Sequence, residues 1–340
     1  MRNMLLALLM SCSLLSAFAQ QKSTVDISAE TRMGYHRDEV DGEKNGSSTG
    51  IKGDYLNLKI NGTIDEHFSY SWRQRFNKKI SDSHYFDATD WIYITYAANQ
   101  NWSLSAGKQV VLIGGYEYDA APIDVFMASE YWQNIPCYQF GGSVTYTTKN
   151  GNDKFTAQLC ESPFRTDKDN DLLAYNLFWT GNHGPWSTLW SANMIAYAPG
   201  KYISYIALGN KITTGNLCLE LDLMNRATDH QAFLFRDCSV IGKLMWQCTP
   251  QLELYTKASY DVNRTKHAGD LCVMPGTELT SLGGGVEYCP IKNNKHTVRL
   301  HACASYTTGT NSNPSGTLVD KYFYLNAGVT WKFHILSWGK

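Results

Sequence analysis

The chain has 340 residues, of which 13% are aromatic and 18% are charged, and its formal net charge is −1. A chain this close to neutrality lacks the basic excess typical of nucleic-acid binding, so no partner of that class is predicted. After the N-terminal region no stretch approaches the roughly 18 consecutive apolar residues of a membrane-spanning helix. Because Tyr is abundant and charged residues are few, the composition favours one large β architecture.

The N-terminal residues have the pattern of a secretory signal peptide. Arg2 precedes an apolar run from Met4 to about Leu15, and small residues around Ala19 provide a cleavage site. Because this run is too short to span a bilayer, we predict that residues 1–19 are a signal peptide. Two alternatives are a buried first helix and a lipoprotein signal that ends before Cys12.

Sixteen segments of the remaining sequence alternate between apolar and polar residues, as half-buried β-strands do. In LCLELDLM (217–224) the leucines fall on one face, whereas Cys218, Glu220 and Asp222 fall on the other. Most segments are nearly twice as long as a strand of a soluble β-sandwich, and about ten tilted residues are enough to cross a bilayer. The predicted strands are Thr24–Arg37, Lys52–Gly62, His67–Lys78, Asp87–Ala98, Trp102–Lys108, Gln139–Thr148, Lys154–Pro163, Leu172–Gly181, Trp186–Ala198, Lys201–Thr213, Leu217–Asn225, Phe233–Cys248, Gln251–Val262, Leu282–Pro290, Thr297–Thr307 and Lys321–Leu336.

The connections between these strands alternate in length. Those after odd-numbered strands are mostly long, such as DEVDGEKNGSSTG (38–50), whereas those after even-numbered strands are tight turns such as NHGP (182–185). Outer-membrane barrels have long extracellular loops and short periplasmic turns. We therefore predict that residues 20–340 form one all-β domain, an antiparallel transmembrane β-barrel of about 16 strands in the cell outer membrane, closed by pairing of the first and last strands.

The longest connection, residues 109–136, is acidic and aromatic and contains no Lys or Arg. A loop of this length in a regular β pattern is usually functional or disordered, and its aromatic and β-branched residues argue against disorder. We predict that residues 109–136 fold into the barrel as a constriction loop. Its acidic side chains are Glu117, Asp119, Asp124 and Glu130.

Charged residues within the strands are predicted to point into the lumen, because a charge facing lipid costs about 2–4 kcal/mol at the membrane midplane. The first three and last two strands become neighbours on closure, and they carry the predicted pore-lining basic residues Arg32, Lys59, Arg73, Arg75, Arg299 and Lys332. Further lumen candidates are Glu220, Asp222 and Lys257. The four loop acids are expected to face Arg32, Arg73, Arg75 and Arg299, setting a field that orients polar solutes. Alternatively, these charges only solvate the lumen or hold the loop through ion pairs.

The sequence contains none of the enzyme motifs G-x-S-x-G, the Walker loop, H-E-x-x-H or the dinucleotide fingerprint. The eight cysteines after the signal peptide show no C-x-x-C or Cys/His pairing. We therefore expect few disulfides and no zinc site. No enzymatic activity, metal or cofactor is predicted.

Two segments resemble a known family. The run GKQVVLIGGYEYDAAPIDVFMASEYW (107–132) resembles the segment after the fifth strand in the phosphate-selective porin O and P family, especially its relatives from the Bacteroidetes. The run AGVTWKFHIL (327–336) resembles the final strand of such porins. The resemblance implies a sixteen-stranded barrel, a homotrimer and a long loop folded inside. Phosphate-selective members line the pore with arginines and lysines, whereas here lumen acids nearly balance the bases.

Together these observations predict an outer-membrane porin of a Gram-negative bacterium. It would be a passive diffusion channel for small polar solutes or ions, with anions such as phosphate among the candidates. Its partners would be membrane lipid, the solutes and other copies of the chain in a homotrimer. The alternative is a non-conducting outer-membrane barrel that binds a ligand or partner through its extracellular loops.

Overall fold

The structure is a computed structural model that describes residues 23–78, 86–166, 168, 171–228, 235–291, 297–313 and 321–339. The predicted signal peptide and the predicted turn at 292–296 lie outside these residues. Among the helices of the described residues, none has the length and apolar character needed to cross a membrane.

The described residues form sixteen strands of eight or more residues, which confirms the predicted number. A further two-residue strand, Glu43–Lys44, pairs with the end of the first strand. Each long strand overlaps one predicted strand, and the bounds differ by up to four residues. They are β1 (Thr24–Val40), β2 (Gly50–Thr63), β3 (Phe68–Arg75), β4 (Thr89–Ala97), β5 (Trp102–Val110), β6 (Tyr138–Thr147), β7 (Asp153–Glu161), β8 (Leu173–His183), β9 (Trp186–Ala198), β10 (Lys201–Thr214), β11 (Leu217–Thr228), β12 (Asp237–Thr249), β13 (Leu252–Asn263), β14 (Glu278–Tyr288), β15 (Val298–Thr310) and β16 (Lys321–Trp338).

The sheet is a closed antiparallel barrel. Every long strand pairs with its neighbour in the sequence, and β1 pairs both with β2 and with β16. The seam between β1 and β16 runs from Val25 opposite Trp338 to Val40 opposite Tyr322. Closure gives the end strands partners for backbone groups that would otherwise be unpaired at a sheet edge.

The two faces of the sheet differ in the way expected of a barrel surrounded by lipid. On β11, Leu221 is 44% exposed, whereas the adjacent Asp222 is 4% exposed. Around the sheet, large apolar side chains are exposed on one face and polar side chains are buried on the other. In soluble proteins the opposite holds, with apolar side chains buried and polar ones exposed. We call the face with the exposed apolar side chains the outer face and the opposite one the inner face.

The connections alternate in length as predicted, with two exceptions. Turns such as residues 184–185 and 215–216 follow even-numbered strands, whereas residues 111–137 and 264–277 follow odd-numbered strands. The exceptions are the two-residue link at 199–200 and the longer connection at 289–297. The side with the short turns is assigned to the periplasm, as in other outer-membrane barrels.

Candidate functional site

Residues 111–137, which join β5 to β6, form the longest connection, and we refer to them as the long connection. They contain helix α1 (Tyr116–Asp119), a 3-10 turn (Pro122–Asp124) and helix α2 (Glu130–Asn134). The side chain of Ser129 caps α2 by accepting a hydrogen bond from the Trp132 amide at 3.2 Å. Such short helices have no independent stability, so contacts elsewhere must hold the long connection in place.

The start of the long connection lies directly against the backbone of β9 and β10. The amide of Gly114 donates to Ser191 Oγ at 2.8 Å, and that of Gly115 donates to the Leu189 carbonyl at 3.1 Å. A Cβ atom on Gly114 would lie 2.4 Å from the Leu189 oxygen, and Gly115 has a φ of 108°. Glycine is therefore required at both positions, by close approach at the first and by backbone conformation at the second.

Two wall carboxylates hold the amino ends of the short helices. Asp222 on β11 accepts hydrogen bonds from the amides of Tyr116 and Glu117 at 2.8 and 2.9 Å. Asp261 on β13 accepts from the amide of Glu130 at 3.1 Å. Free amides at the start of a helix favour a carboxylate, so these side chains act as caps supplied by the barrel wall.

Glu117 is buried, and its carboxylate contacts both the barrel wall and a second part of the long connection. Its carboxylate pairs with the Lys257 ammonium on β13 and accepts from the Ser129 amide at 2.9 Å. Lys257 also donates to the Met127 carbonyl at 2.9 Å. Since both charged groups are nearly inaccessible to water, removing either would leave a buried charge without its partner.

The middle of the long connection contacts the strands at the barrel seam. Asp124 forms ion pairs with Arg299 on β15 and with Lys332 on β16, the latter at 3.3 Å. Arg32 on β1 donates to the Ile123 and Val125 carbonyls at 2.9 and 3.0 Å. Burial opposes ionisation of Asp124, but the two cations outweigh it and hold the pKa of this carboxyl below its usual value.

The expected contacts between loop acids and basic wall are thus only partly present. The prediction that Arg73 and Arg75 face acids of the loop is wrong, because both side chains pair with Asp90 on β4, at 2.6 and 2.8 Å. Arg73 also lies over the Trp91 ring at 3.9 Å. Two arginines two residues apart share one face of β3, and the neighbouring strand supplies a nearer carboxylate than the long connection does.

Arg32 also differs from its predicted partner. Its carboxylate partner is Asp54 on β2, at 3.1 Å, and the long connection offers it backbone carbonyls instead of an acid. Lys59 pairs with Glu30 at 2.8 Å, on the neighbouring strand. Cross-strand pairs of this kind depend on register, which alternation alone does not determine.

The remaining predicted residues have varied surroundings. The Glu130 carboxylate accepts from Asn134 at 2.8 Å, and burial raises the pKa of this carboxyl. Glu220 pairs with Lys211 at 2.7 Å. Asp119 is exposed and makes no salt bridge with any residue that the structure describes.

Two features of the site were missed in the sequence. The first is an apolar patch on the inner face, where Ile203, Tyr205 and Ala207 of β10 pack against Tyr131 and other residues of the long connection. The run YISYIAL (202–208) is apolar at nearly every position, and such a run indicates a strand buried on both faces. This run is the signal in the sequence from which the covered stretch of wall can be found, and the prediction did not use it.

The second missed feature is a buried cluster around Arg226 on β11. Its guanidinium pairs with Asp237 at 3.0 Å and with Asp270 at 2.6 Å, and it lies 5.2 Å from the Tyr131 ring centroid. Asp270 belongs to the connection after β13, which is thereby linked to α2. No local pattern in the sequence brings these three segments together.

These contacts bind the long connection to the barrel wall and position its side chains. Within the described residues, no group of three or more His, Cys, Asp or Glu side chains is placed to hold a metal ion. The eight cysteines among those residues carry no disulfide.

Comparisons with known proteins identify a family and a shared fold. A family model described as phosphate-selective porin O and P matches residues 25–202. A search of the curated proteins found no match.

Solved structures of the same fold are similar over nearly the whole chain. The anion-selective porin from Comamonas acidovorans superposes with a TM-score of 0.64 at 12% identity, covering 92% of this chain and 100% of that one. The outer-membrane expressed OmpT of Vibrio cholerae has a TM-score of 0.60 at 13% identity, with coverages of 92% and 98%. A trimer form of in-vitro folded OmpT has a TM-score of 0.59 at 13% identity, with coverages of 92% and 99%.

Proposed function

This chain belongs to the phosphate-selective porin O and P family, and we propose that this outer-membrane porin is a diffusion channel narrowed by the long connection. The observation that carries the proposal is the series of contacts from residues 111–137 to strands far apart in the sheet. Backbone or side-chain groups of this segment contact β9, β11 and β13 on one side and β15, β16 and β1 at the seam. A segment fastened at both places crosses the interior and reduces its open area.

The proposed channel is weakly ion-selective, with a modest preference for anions. The six basic residues of the predicted wall are in ion-pair contact with five carboxylates, Glu30, Asp54, Asp90, Asp124 and Glu287. Within this set of ion pairs, the excess of one positive charge comes from Arg73 and Arg75, which share Asp90. A nearly compensated wall leaves little net field to exclude ions of either sign, so strict phosphate selectivity is not part of the proposal.

Conductance in planar lipid bilayers tests this function. We expect open channels in salt solution and a reversal potential in a salt gradient that favours anions by a few-fold at most. In Arg75→Ala the local excess charge is lost, so the reversal potential should shift toward cations. Arg37→Ala is the matched control. The Arg37 side chain is 48% exposed and, as the neighbour of the inner-face residue His36, it lies on the outer face. A barrel that never conducts would contradict the proposal and favour a receptor that uses its loops.

We also propose that the channel works as a homotrimer and catalyses no reaction. The trimer form of OmpT, a protein of the same fold, supports the assembly as a precedent. Mass measurement of the detergent-solubilised protein by light scattering tests it, and a purely monomeric mass in mild detergent would count against the trimer.

A further inference from the structure

A cavity of about 260 Å³ lies between the long connection and the inner face of the barrel wall. Its wall residues include Ser259 near the end of β13, Ser281 near the start of β14, Ser305 on β15 and Tyr324 near the start of β16. These are the extracellular halves of the strands, because odd-numbered strands run outward and even-numbered strands run inward. We call this space the outer cavity, since it lies on the extracellular side of the long connection.

The charged groups around the outer cavity are already engaged by protein partners. Asp261 accepts from the Glu130 amide and from Ser239 Oγ at 2.5 Å, and the Glu130 carboxylate accepts from Asn134. Arg32 donates to Asp54 and to two carbonyls of the long connection. These charges hold the segment in place, so they offer little free capacity to an ionic ligand.

The hydroxyl groups of the cavity are only partly engaged by the protein: Thr307 donates to Ser281 and Tyr322 donates to Asp38. Within the described residues, the hydroxyls of Tyr55, Ser259, Ser305 and Tyr324 make no hydrogen bond to protein, although Ser259 and Ser305 are each only 6% exposed. Each hydroxyl can donate one hydrogen bond and accept others. Grouped in one cavity, they can bind a solute that itself carries several hydroxyls.

Aromatic rings complete the lining and restrict its size. The rings of Phe126 of the long connection and Tyr55 of β2 both contact the Arg32 guanidinium, whose central carbon lies 4.8 and 4.7 Å from their centroids. These rings and that of Tyr324 give the cavity apolar surface beside its hydroxyls. Pockets for drug-sized ligands start at about 300 Å³, so this cavity suits a smaller ligand.

From these observations we propose that the outer cavity is a binding subsite for a neutral polyhydroxylated solute of about the size of a monosaccharide. The inference rests on the proposed function, because it names a class of solute for the same channel. A sugar matches the hydroxyls through its own hydroxyls and matches the ring surfaces through its C–H faces. A phosphate ion matches the cavity poorly, because Glu130 and Asp261 border it and Arg32 is already paired with Asp54.

Single-channel current in planar bilayers, recorded while glucose is added to the extracellular side, tests the proposal. Binding in the outer cavity should reduce the current in a saturable manner. In the variant Ser259→Ala, Ser305→Ala, Tyr324→Phe the half-saturating glucose concentration should rise at least about tenfold, because three hydrogen bonds to the solute are lost. The control Thr156→Ala removes a hydroxyl on β7, which is several strands away from the outer cavity around the barrel. This variant should respond to glucose as the wild type does.

The outcomes separate this proposal from the proposed function. A current that falls only linearly with solution viscosity, or a triple variant that saturates as the wild type does, would overturn the subsite while leaving the channel intact. Saturable block by inorganic phosphate without block by glucose would replace it with an anion site. If the triple variant does not insert, the single variants Ser305→Ala and Tyr324→Phe give the same comparison. A wild-type protein that never conducts would contradict the proposed function itself.

Discussion

At the scale of single residues, the site is organised by carboxylates that hold the long connection. Asp222 and Asp261 belong to the wall and bind backbone amides, whereas Asp124 belongs to the connection and binds wall cations. The charges therefore have a structural task in addition to any effect on permeating ions. Ion pairing, the alternative considered for the predicted charges, describes most of these contacts.

Replacing Asp124 by Asn should loosen the middle of the long connection, where it contacts the seam. The substitution leaves Arg299 with Glu287 alone at 3.2 Å and leaves Lys332 with Glu30 at 3.8 Å. For a pair that is partly exposed, about 1 kcal/mol of local stability should be lost. We expect noisier single-channel currents at neutral pH, whereas Asp119→Asn should leave the noise unchanged, because Asp119 is exposed and forms no salt bridge among the described residues. Equal noise in both variants would show that the Asp124 contacts do not restrain the segment.

The pKa values of Asp124 and Glu130 are shifted in opposite directions, and this predicts opposite responses to pH. The pKa of Asp124 is lowered, so its stabilising contribution is present above the ordinary value of 3.8 and is lost as the pH falls through the lowered value. The pKa of Glu130 is raised by burial above 4.5, so the folded state prefers the protonated form and gains stability as the pH falls through the raised value.

Glu130→Gln tests the second of these responses. The temperature at which the folded electrophoretic band disappears should rise in the wild type between neutral pH and mildly acidic pH, and the rise should be smaller in the variant. Asp261 also borders Glu130 and stays in place in both proteins, so the difference between them isolates Glu130. Identical pH profiles would contradict the prediction.

At the scale of elements, the long connection depends on the wall for its shape. Its helices are of four and five residues, and their caps come from β11, from β13 and from Ser129. Its apolar residues pack on an inner-face patch of β9 and β10, where glycine permits backbone contact. The segment and the wall therefore form one packed unit on that side of the barrel.

Gly114→Ala should displace the start of the long connection. The new Cβ would lie 2.4 Å from the Leu189 oxygen and 2.9 Å from the Ala207 oxygen, both of which are backbone atoms fixed in the sheet. Overpacking of this kind costs about 1–3 kcal/mol. We expect the barrel to fold with an altered single-channel conductance. Gly53→Ala is the control, because no heavy atom lies within 4 Å of its Cβ position, and a conductance unchanged in both would argue against the contact.

At the scale of the whole molecule, closure at the seam between β1 and β16 determines which strands become neighbours. Gly34 and Gly328 are directly opposite each other there, and a Cβ on Gly328 would lie 2.1 Å from the Met33 oxygen. The seam joins the two ends of the sequence, so it is also the pairing with the greatest separation along the chain. Contacts of this kind form slowly, because the intervening chain must first be brought together.

Gly328→Ala should therefore reduce the yield and heat stability of the closed barrel. Gly242→Ala on β12 is the matched control, since its Cβ would meet Leu221 at an ordinary 3.5 Å. The fraction of protein that runs as the folded band after refolding in detergent measures the effect. A yield equal to that of the control would show that the seam tolerates a methyl group.

Much of this architecture follows from the sequence alone, because the period of a strand and the length of a turn are local properties. Alternation located all sixteen strands, and the parity of the connections indicated the barrel and its orientation. The same local patterns marked residues 109–136 as exceptional. The apolar patch on β10 was missed, although the run YISYIAL (202–208) is apolar on both faces and so carries a local signal for it.

The partners of individual charges were determined only by the tertiary structure. Arg73 and Arg75 pair with Asp90 and not with the long connection. Arg226 forms ion pairs with Asp237 and Asp270, which belong to separate segments. Which acid is nearest to a base depends on strand register, on closure and on the path of a segment with no repeating pattern of its own. Electrostatic and hydrogen-bonding contacts act over a few ångströms in space, and alternation along the chain carries no information about those distances.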